Sequence, residues 1–264
     1  MNWSVYLDGL IASLILSSFV WLISVYKRDV SIVDSAWSLL FVAASIAYLN
    51  EMDFREWLIF SLLLVWATRL CLHITIRAWG ENEDHRYQDI RKRYSPGFAF
   101  KSLFIIFVFQ AVLAWIITLP LHIAFTQSHE VGILTIIATV IVVFGITFES
   151  IADWQLFRFK SNKESKQQVL DQGLWRYSRH PNYFGEAVVW WGFSLFAIEA
   201  GYWYALVSPI LLTFLLLRFS GVSLLESTIT ERRPAYRKYI ETTNAFLPGP
   251  KHDISQSSLK GEQL

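Results

Sequence analysis

The run Gly173-Leu174-Trp175-Arg176-Tyr177-Ser178-Arg179-His180-Pro181-Asn182-Tyr183-Phe184-Gly185-Glu186 gathers an arginine, a histidine, an asparagine, a tyrosine and a glutamate at the approach to an apolar stretch. Pro181 suits the first turn of a helix, where its missing N–H needs no partner. Asn182 and Glu186 are four apart, and Tyr183 and Glu186 three apart, so their side chains share one helix face. Arg179 and His180 then precede a helix N-terminus, where phosphate oxygens are favoured. A membrane-interface belt explains Trp175, Arg176 and Tyr177 equally well. It explains Glu186 poorly, because an acid at the mouth of an apolar span must face a cavity or a partner.

Three further groups could serve the same chemistry. Glu149 and Asp153 stand at i and i+4 near the end of an apolar run, followed by Gln155 and Arg158. Two carboxylates on one face repel unless something lies between them. They could accept from ribose hydroxyls or a carboxamide, or they could pair with Arg158, Lys160 or Arg179. Arg69, His73 and Arg77 repeat every four residues, a stripe that should face a bundle interior, although Arg77 could simply snorkel to the surface. Beyond it, Asp84, Arg86 and Tyr87 either cap a ligand or solvate a loop, with His85 beside them. Asp34, three before Trp37, is a further buried acid that could pair with Arg69. Toward the end of the chain, Glu226 follows the last apolar run, and Tyr236, Arg237, Lys238 and Tyr239 lead to Phe246-Leu247-Pro248. That stretch reads either as ligand contact or as an amphipathic interfacial helix.

The elements that must position these groups are membrane helices. The chain has 264 residues, 54% of them hydrophobic and 16% aromatic, more apolar than an ordinary soluble domain. At about 20 apolar residues per crossing, seven spans are expected: 5–25, 32–49, 57–76, 103–125, 131–152, 183–199 and 202–221. Lys and Arg cluster at 27–28, 77–101, 158–179 and 232–238, and the alternate loops hold almost none. The positive-inside rule then puts the N-terminus outside and the C-terminus in the cytosol. The expected fold is an all-α integral membrane bundle of seven helices, one domain over 1–250 with a polar tail over 251–264.

Other classes are set aside. A net charge of +1 with no basic stripe argues against nucleic acid. The single cysteine, Cys71, can form no intrachain disulfide, and no Cys/His spacing resembles a metal site. There is no Gly-x-Gly-x-x-Gly, no Walker loop and no Gly-x-Ser-x-Gly elbow. The histidines do not cluster as a di-iron site requires, and His122 and His129 read as caps of a loop on the far side.

The stretch Gly173–Glu186 closely resembles the signature of the steroid 5-alpha-reductase-like membrane reductases, in particular the branch called domain of unknown function 1295. Glu149-x-x-x-Asp153-Trp-Gln-Leu, the loop Glu83-Asp84-His85-Arg86-Tyr87, and Gly221 to Glu226 followed by Phe246-Leu247-Pro248 match in the same order. The resemblance implies seven helices whose cytosolic half encloses NADPH, and reduction of a carbon–carbon double bond conjugated to a ketone in a lipophilic, steroid-like substrate. It places Glu149, Asp153, Arg158, Arg179, His180, Asn182, Tyr183, Glu186 and Tyr236 at the cofactor; Trp175 and Glu226 are expected beside them, and Glu186 and Tyr183 are the candidates near the reacting centre. Asp34, Trp37, Trp66, Arg69, Asp84 and Tyr87 would face the substrate. Where the steroid enzymes carry a tyrosine three before the arginine matching Arg69, this chain has Trp66, so the pocket need not take the same steroid. The core Arg179-His180-Pro181-x-Tyr183-x-Gly185 is shared with isoprenylcysteine and phospholipid methyltransferases, which use S-adenosylmethionine. That activity, and a non-catalytic lipid-binding role, are the alternatives. A bacterial inner membrane and an endoplasmic reticulum both fit the charge pattern.

Overall fold

A computed structural model describes residues 2–50, 52–127, 130–162, 168–218 and 235–252. Its regular elements are helices, and no strand occurs among the described residues. Four helical runs are long and apolar enough to cross a membrane: α1 (Trp3–Lys27), α3 (Phe54–Ala78), the run Phe98–Ile117, and α8 (Ile133–Ser161). The remaining three expected stretches hold α2 (Ile32–Ile46), α9 (Pro181–Glu199), and a 3-10 turn Trp203–Leu206 leading into α10 (Val207–Arg218). Between them lie α4 (His85–Arg93) and, near the end of the chain, α11 (Tyr236–Thr242).

The run Phe98–Ile117 comprises α5 (Phe98–Ser102), a π-helical turn Leu103–Val108, and α6 (Phe109–Ile117). The expected span 103–125 is therefore not one helix. The chain bends at Thr118 and restarts as α7 (Leu119–Thr126), with Pro120 in its first turn. Proline cannot continue a helix, because it lacks the N–H and its ring clashes with the carbonyl four residues back.

Contacts divide the chain into two compact units, Met1–Thr139 with Gly192–Ser208, and Val140–Trp191 with Pro209–Leu264. In the first, α1 buries Tyr6, Gly9, Ser13, Ser17, Val20 and Ser24, a face of mostly small residues that lets neighbouring helices approach closely. Ser13 Oγ donates to the Leu40 carbonyl on α2 at 3.2 Å, and Ser17 Oγ to the Phe107 carbonyl in the π turn at 2.7 Å. Arg28 closes α1 in the left-handed region at φ 56°, and the N–H groups of Arg28 and Asp29 return to Val25 and Ser24.

At the opposite end of this unit, one arginine closes two helices. Arg55 is 2% exposed and donates to the carbonyls of Ala124 on α7 (3.1 Å) and Phe196 on α9 (2.8 Å). Glu199, ion-paired to Arg55 at 3.8 Å, accepts the Thr135 N–H in the first turn of α8 at 3.0 Å. A cation thus meets two helix C-termini and an anion one N-terminus, the arrangement that both the unsatisfied end groups and the helix dipoles favour. His122, expected to cap a loop, is instead fully buried, with the rings of Tyr6 and Tyr48 at 5.0 and 4.9 Å. The reason is that α7 is buried along most of its length. His129 lies outside the described residues.

Candidate functional site

The second unit holds the residues of the Arg-His-Pro motif. Here α8 meets α9 at two glycines. A Cβ on Gly145 would lie 2.8 Å from the Val189 nitrogen, and one on Gly185 would lie 2.7 Å from the Glu149 nitrogen. With backbones this close, the residues one turn away on each helix must face one another. Glu149 and Asp153 are 2% and 4% exposed, and Glu186 is 8% exposed. Asn182 Nδ2 donates to Asp153 Oδ1 at 3.1 Å. Its own carbonyl oxygen, Asn182 Oδ1, is buried and accepts no hydrogen bond. Such an oxygen costs about 1–3 kcal/mol unless a ligand or water donates to it.

The segment before α9 is held from both sides. In the 3-10 turn Gly173–Arg176, Trp175 Nε1 donates to the Ala152 carbonyl at 3.0 Å and the Leu174 N–H to Gln155 Oε1 at 3.0 Å. Gly173 adopts φ +59° with the Gln155 side chain where a Cβ would stand, so two requirements select glycine there. From the other side the C-terminal segment acts as a strap. Tyr239 Oη donates to the Trp175 carbonyl and lies 3.2 Å from that of Ser178. Ser178 Oγ donates to the Phe246 carbonyl at 2.8 Å, and the Gly249 N–H to the Tyr177 carbonyl at 3.0 Å. The Arg179 N–H donates to Asn244 at 2.9 Å, and its Nη1 to the carbonyls of Ile240 (2.9 Å) and Thr243. Part of the Arg179 donor set therefore closes the end of α11 rather than facing a phosphate. His180 stacks on Tyr183 with ring centroids 5.5 Å apart and planes 3° from parallel.

Of the expected cofactor residues, the second unit contains Glu149, Asp153, Trp175, Arg179, His180, Asn182, Tyr183, Glu186 and Tyr236, most of them buried. Arg158 departs from this group: it is exposed, with its guanidinium 5.5 Å over the Trp154 ring, and it pairs with neither Glu149 nor Asp153. Glu226 falls outside the described residues. Gln155, Ser178 and Tyr239 hold the motif in place, a supporting role that residue type alone does not reveal, though Gln155 sits two after Asp153 and Tyr239 three after Tyr236.

The expected substrate residues lie in the first unit. Trp37 packs edge-on to Phe41 (4.9 Å), which packs edge-on to Trp66 (5.5 Å), joining α2 to α3. Arg69 lines an open groove with Leu64, Val65, Thr68 and Leu72. The pairing of Asp34 with Arg69 does not occur, because α4 packs over the start of α2 and supplies the partners. Asp34 accepts from Arg86 at 2.8 Å and from Tyr87 Oη at 2.5 Å. Asp84 caps α4 by accepting the Arg86 N–H at 2.9 Å and also pairs with the Arg86 guanidinium at 3.0 Å. Burial raises the Asp84 carboxyl, but the Arg86 contacts outweigh it and hold the group below the ordinary carboxylate range. Burial, then Asp34, push the Tyr87 phenol well above its ordinary value. Asp84 and Tyr87 are thus engaged in a network that fixes α4.

The chain matches, over residues 20–243, the family described as "Protein of unknown function (DUF1295)", and it belongs to that family. It is 27% identical over 288 residues to an uncharacterized protein of Schizosaccharomyces pombe, spanning 94% of this chain and 80% of that relative. No solved structure matches it.

Proposed function

We propose that this DUF1295-family membrane protein is an NADPH-dependent reductase of carbon–carbon double bonds conjugated to a ketone, acting on a lipophilic, steroid-like substrate within the membrane. The observation that carries the reading is Asn182: its amide N–H is taken by Asp153, while its buried oxygen lacks a donor. A carboxamide or ribose hydroxyl supplies such a donor. Buried Glu149 and Glu186 beside the same helix crossing are further acceptors suited to sugar hydroxyls. The sequence likeness at Gly173–Glu186 adds the reaction class. The fit is good for the nucleoside portion and partial for phosphate, given the Arg179 bonds to Ile240 and Thr243.

In this reading Asn182, Asp153 and Glu149 hold the cofactor, and the stacked His180 and Tyr183 rings form a flat wall beside it. Bound NADPH would supply a hydride to the β-carbon of the enone. Glu186 and Tyr183 are the residues at the reacting centre. Glu186 orients the cofactor or protonates the substrate, and a proton donor near the enolate oxygen lowers the barrier in a site that excludes water. Seven spans with an outside N-terminus and cytosolic C-terminus belong to the same account, as does a cofactor site facing the cytosol in a bacterial inner membrane or an endoplasmic reticulum.

The test is consumption of NADPH by the purified full chain with a 3-oxo-4-ene steroid as probe. Turnover is expected for the wild type and is expected to vanish in Glu186→Gln with folding retained. Wild-type rates in that variant would overturn the Glu186 role. Binding of S-adenosylmethionine with no response to NADPH would favour the methyltransferase alternative.

A further inference from the structure

One surface of the first unit is left cationic once its internal ion pairs are counted. The Val30 N–H donates to Glu83 Oε1 at 2.9 Å and the Asp84 N–H to Ser31 Oγ at 2.8 Å. Trp21 Nε1 donates to the Ala99 carbonyl at 2.8 Å, and the Arg91 guanidinium lies 4.6 Å over the Phe98 ring. These contacts gather the end of α1, α4 and the start of α5 into one face, and α3 leads into it through residues 79–83, where the Glu81 N–H returns to the Ala78 carbonyl.

Most carboxylates of this face are already used. Glu83 pairs with Arg91 at 2.6 Å, Asp84 and Asp34 with Arg86 at 3.0 and 2.8 Å, and Asp89 with Lys92 at 3.3 Å. Asp29 accepts the Ser31 N–H. Lys27, Arg28, Arg77, Arg93 and Lys101 are exposed and meet no carboxylate among the described residues, against three acid charges without a cation of their own: Glu81, Asp29, and one of the two carboxylates that share Arg86. Beside them stand Tyr26, Trp79 and Phe100, 89%, 82% and 64% exposed.

We propose that this face binds the phosphodiester headgroups of anionic phospholipids in the adjoining leaflet. Guanidinium and ammonium groups match phosphate oxygens. Basic clusters at the end of a membrane helix are drawn to anionic lipid, while exposed indole and phenol rings settle at headgroup depth. A free anion would account for the cations and leave the three aromatic residues without a role. Two of the helices that end here, α1 and α3, are long and apolar enough to span a membrane, which brings the headgroups to the cations. This inference does not depend on the reductase reading.

The test is native mass spectrometry of the purified full chain, titrated with phosphatidylglycerol, with phosphatidylcholine, and with inorganic phosphate. The wild type should retain phosphatidylglycerol over phosphatidylcholine by about tenfold or more, as several basic residues near an anionic surface provide, and inorganic phosphate should not displace it. Lys27→Gln/Arg28→Gln/Arg93→Gln/Lys101→Gln should lose that preference, whereas Arg176→Gln/Arg237→Gln/Lys238→Gln should keep it. Equal retention of both lipids, an unchanged preference in the first variant, an equal loss in the second, or displacement by inorganic phosphate would each overturn the proposal. If the first variant does not fold, wild-type salt dependence decides: the preference should collapse at high salt, and persistence would refute it.

Discussion

Asn182 gives its amide N–H to Asp153 Oδ1 at 3.1 Å and keeps its own oxygen buried without a donor. These two residues are 29 apart in sequence and meet only because Gly145 and Gly185 let α8 and α9 touch. Everything proposed about catalysis depends on that crossing.

The crossing itself can be tested by size. Gly185→Ala would drive a methyl to 2.7 Å from the Glu149 nitrogen and Cβ. Overpacking of this kind costs about 1–3 kcal/mol, so thermal unfolding in detergent should occur at a clearly lower temperature. Gly80→Ala is the comparison. Unlike the helical Gly185, it has positive φ and nothing within 4 Å, so only the left-handed backbone cost of about 1–2 kcal/mol applies. NADPH affinity should fall for Gly185→Ala and hold for Gly80→Ala.

The strap should matter to the motif it covers. Tyr239→Phe removes the hydroxyl that serves the Trp175 carbonyl. A buried carbonyl left unpaired costs about 1–3 kcal/mol. The expected result is earlier proteolysis of the C-terminal segment and faster hydrogen exchange at Trp175–Arg179, read by mass spectrometry. Unchanged exchange there would show that the strap does not hold the motif.

Acid should loosen α4 first. Burial raises the Glu83 carboxyl, but Arg91 and the Val30 N–H more than offset it, so its value lies below the ordinary one of about 4.3. A carboxyl with a depressed folded value stabilises fully above its unfolded value and loses that contribution as pH falls through the folded one. Protection of the α4 amides should therefore drop as pH is lowered below about 4. Glu83→Gln should flatten that dependence while lowering protection at neutral pH.

Arg55 is expected to be the costliest single polar residue. Replacing it by Gln strands Glu199 and the carbonyls of Ala124 and Phe196. Breaking a buried pair by removing one partner costs about 3–5 kcal/mol. Chemical unfolding should show a loss of that order, with Arg55→Lys intermediate because an ammonium cannot reach both carbonyls and the carboxylate at once.

Much of the second unit was legible because its chemistry is written locally. Glu149 and Asp153 stand one turn apart, and Asn182 and Glu186 follow a proline that starts a helix, so residue type and spacing alone put each pair on one face of its own helix. What the two glycines do was harder to see, since a glycine inside an apolar run looks the same whether it faces lipid or another backbone. The Arg55 closure was hidden for a different reason. Its partners Ala124, Thr135, Phe196 and Glu199 lie 69 to 144 residues away, and two of them contribute only a carbonyl, which no side-chain pattern reveals. Asp34 likewise finds Arg86 across 52 residues, where the sequence suggested Arg69 only as a cation within another span. Pro120 marked the break in the fourth span plainly, but hydropathy averages over a window and passes through it.

The most direct measurement is equilibrium binding of NADPH to the purified full chain, with Asn182→Ala beside the wild type. The account requires about one NADPH bound per chain, an affinity at least tenfold weaker when the Asn182 oxygen is removed, and little binding of S-adenosylmethionine. No binding of NADPH by the folded wild type, or equal affinity in the variant, would contradict it.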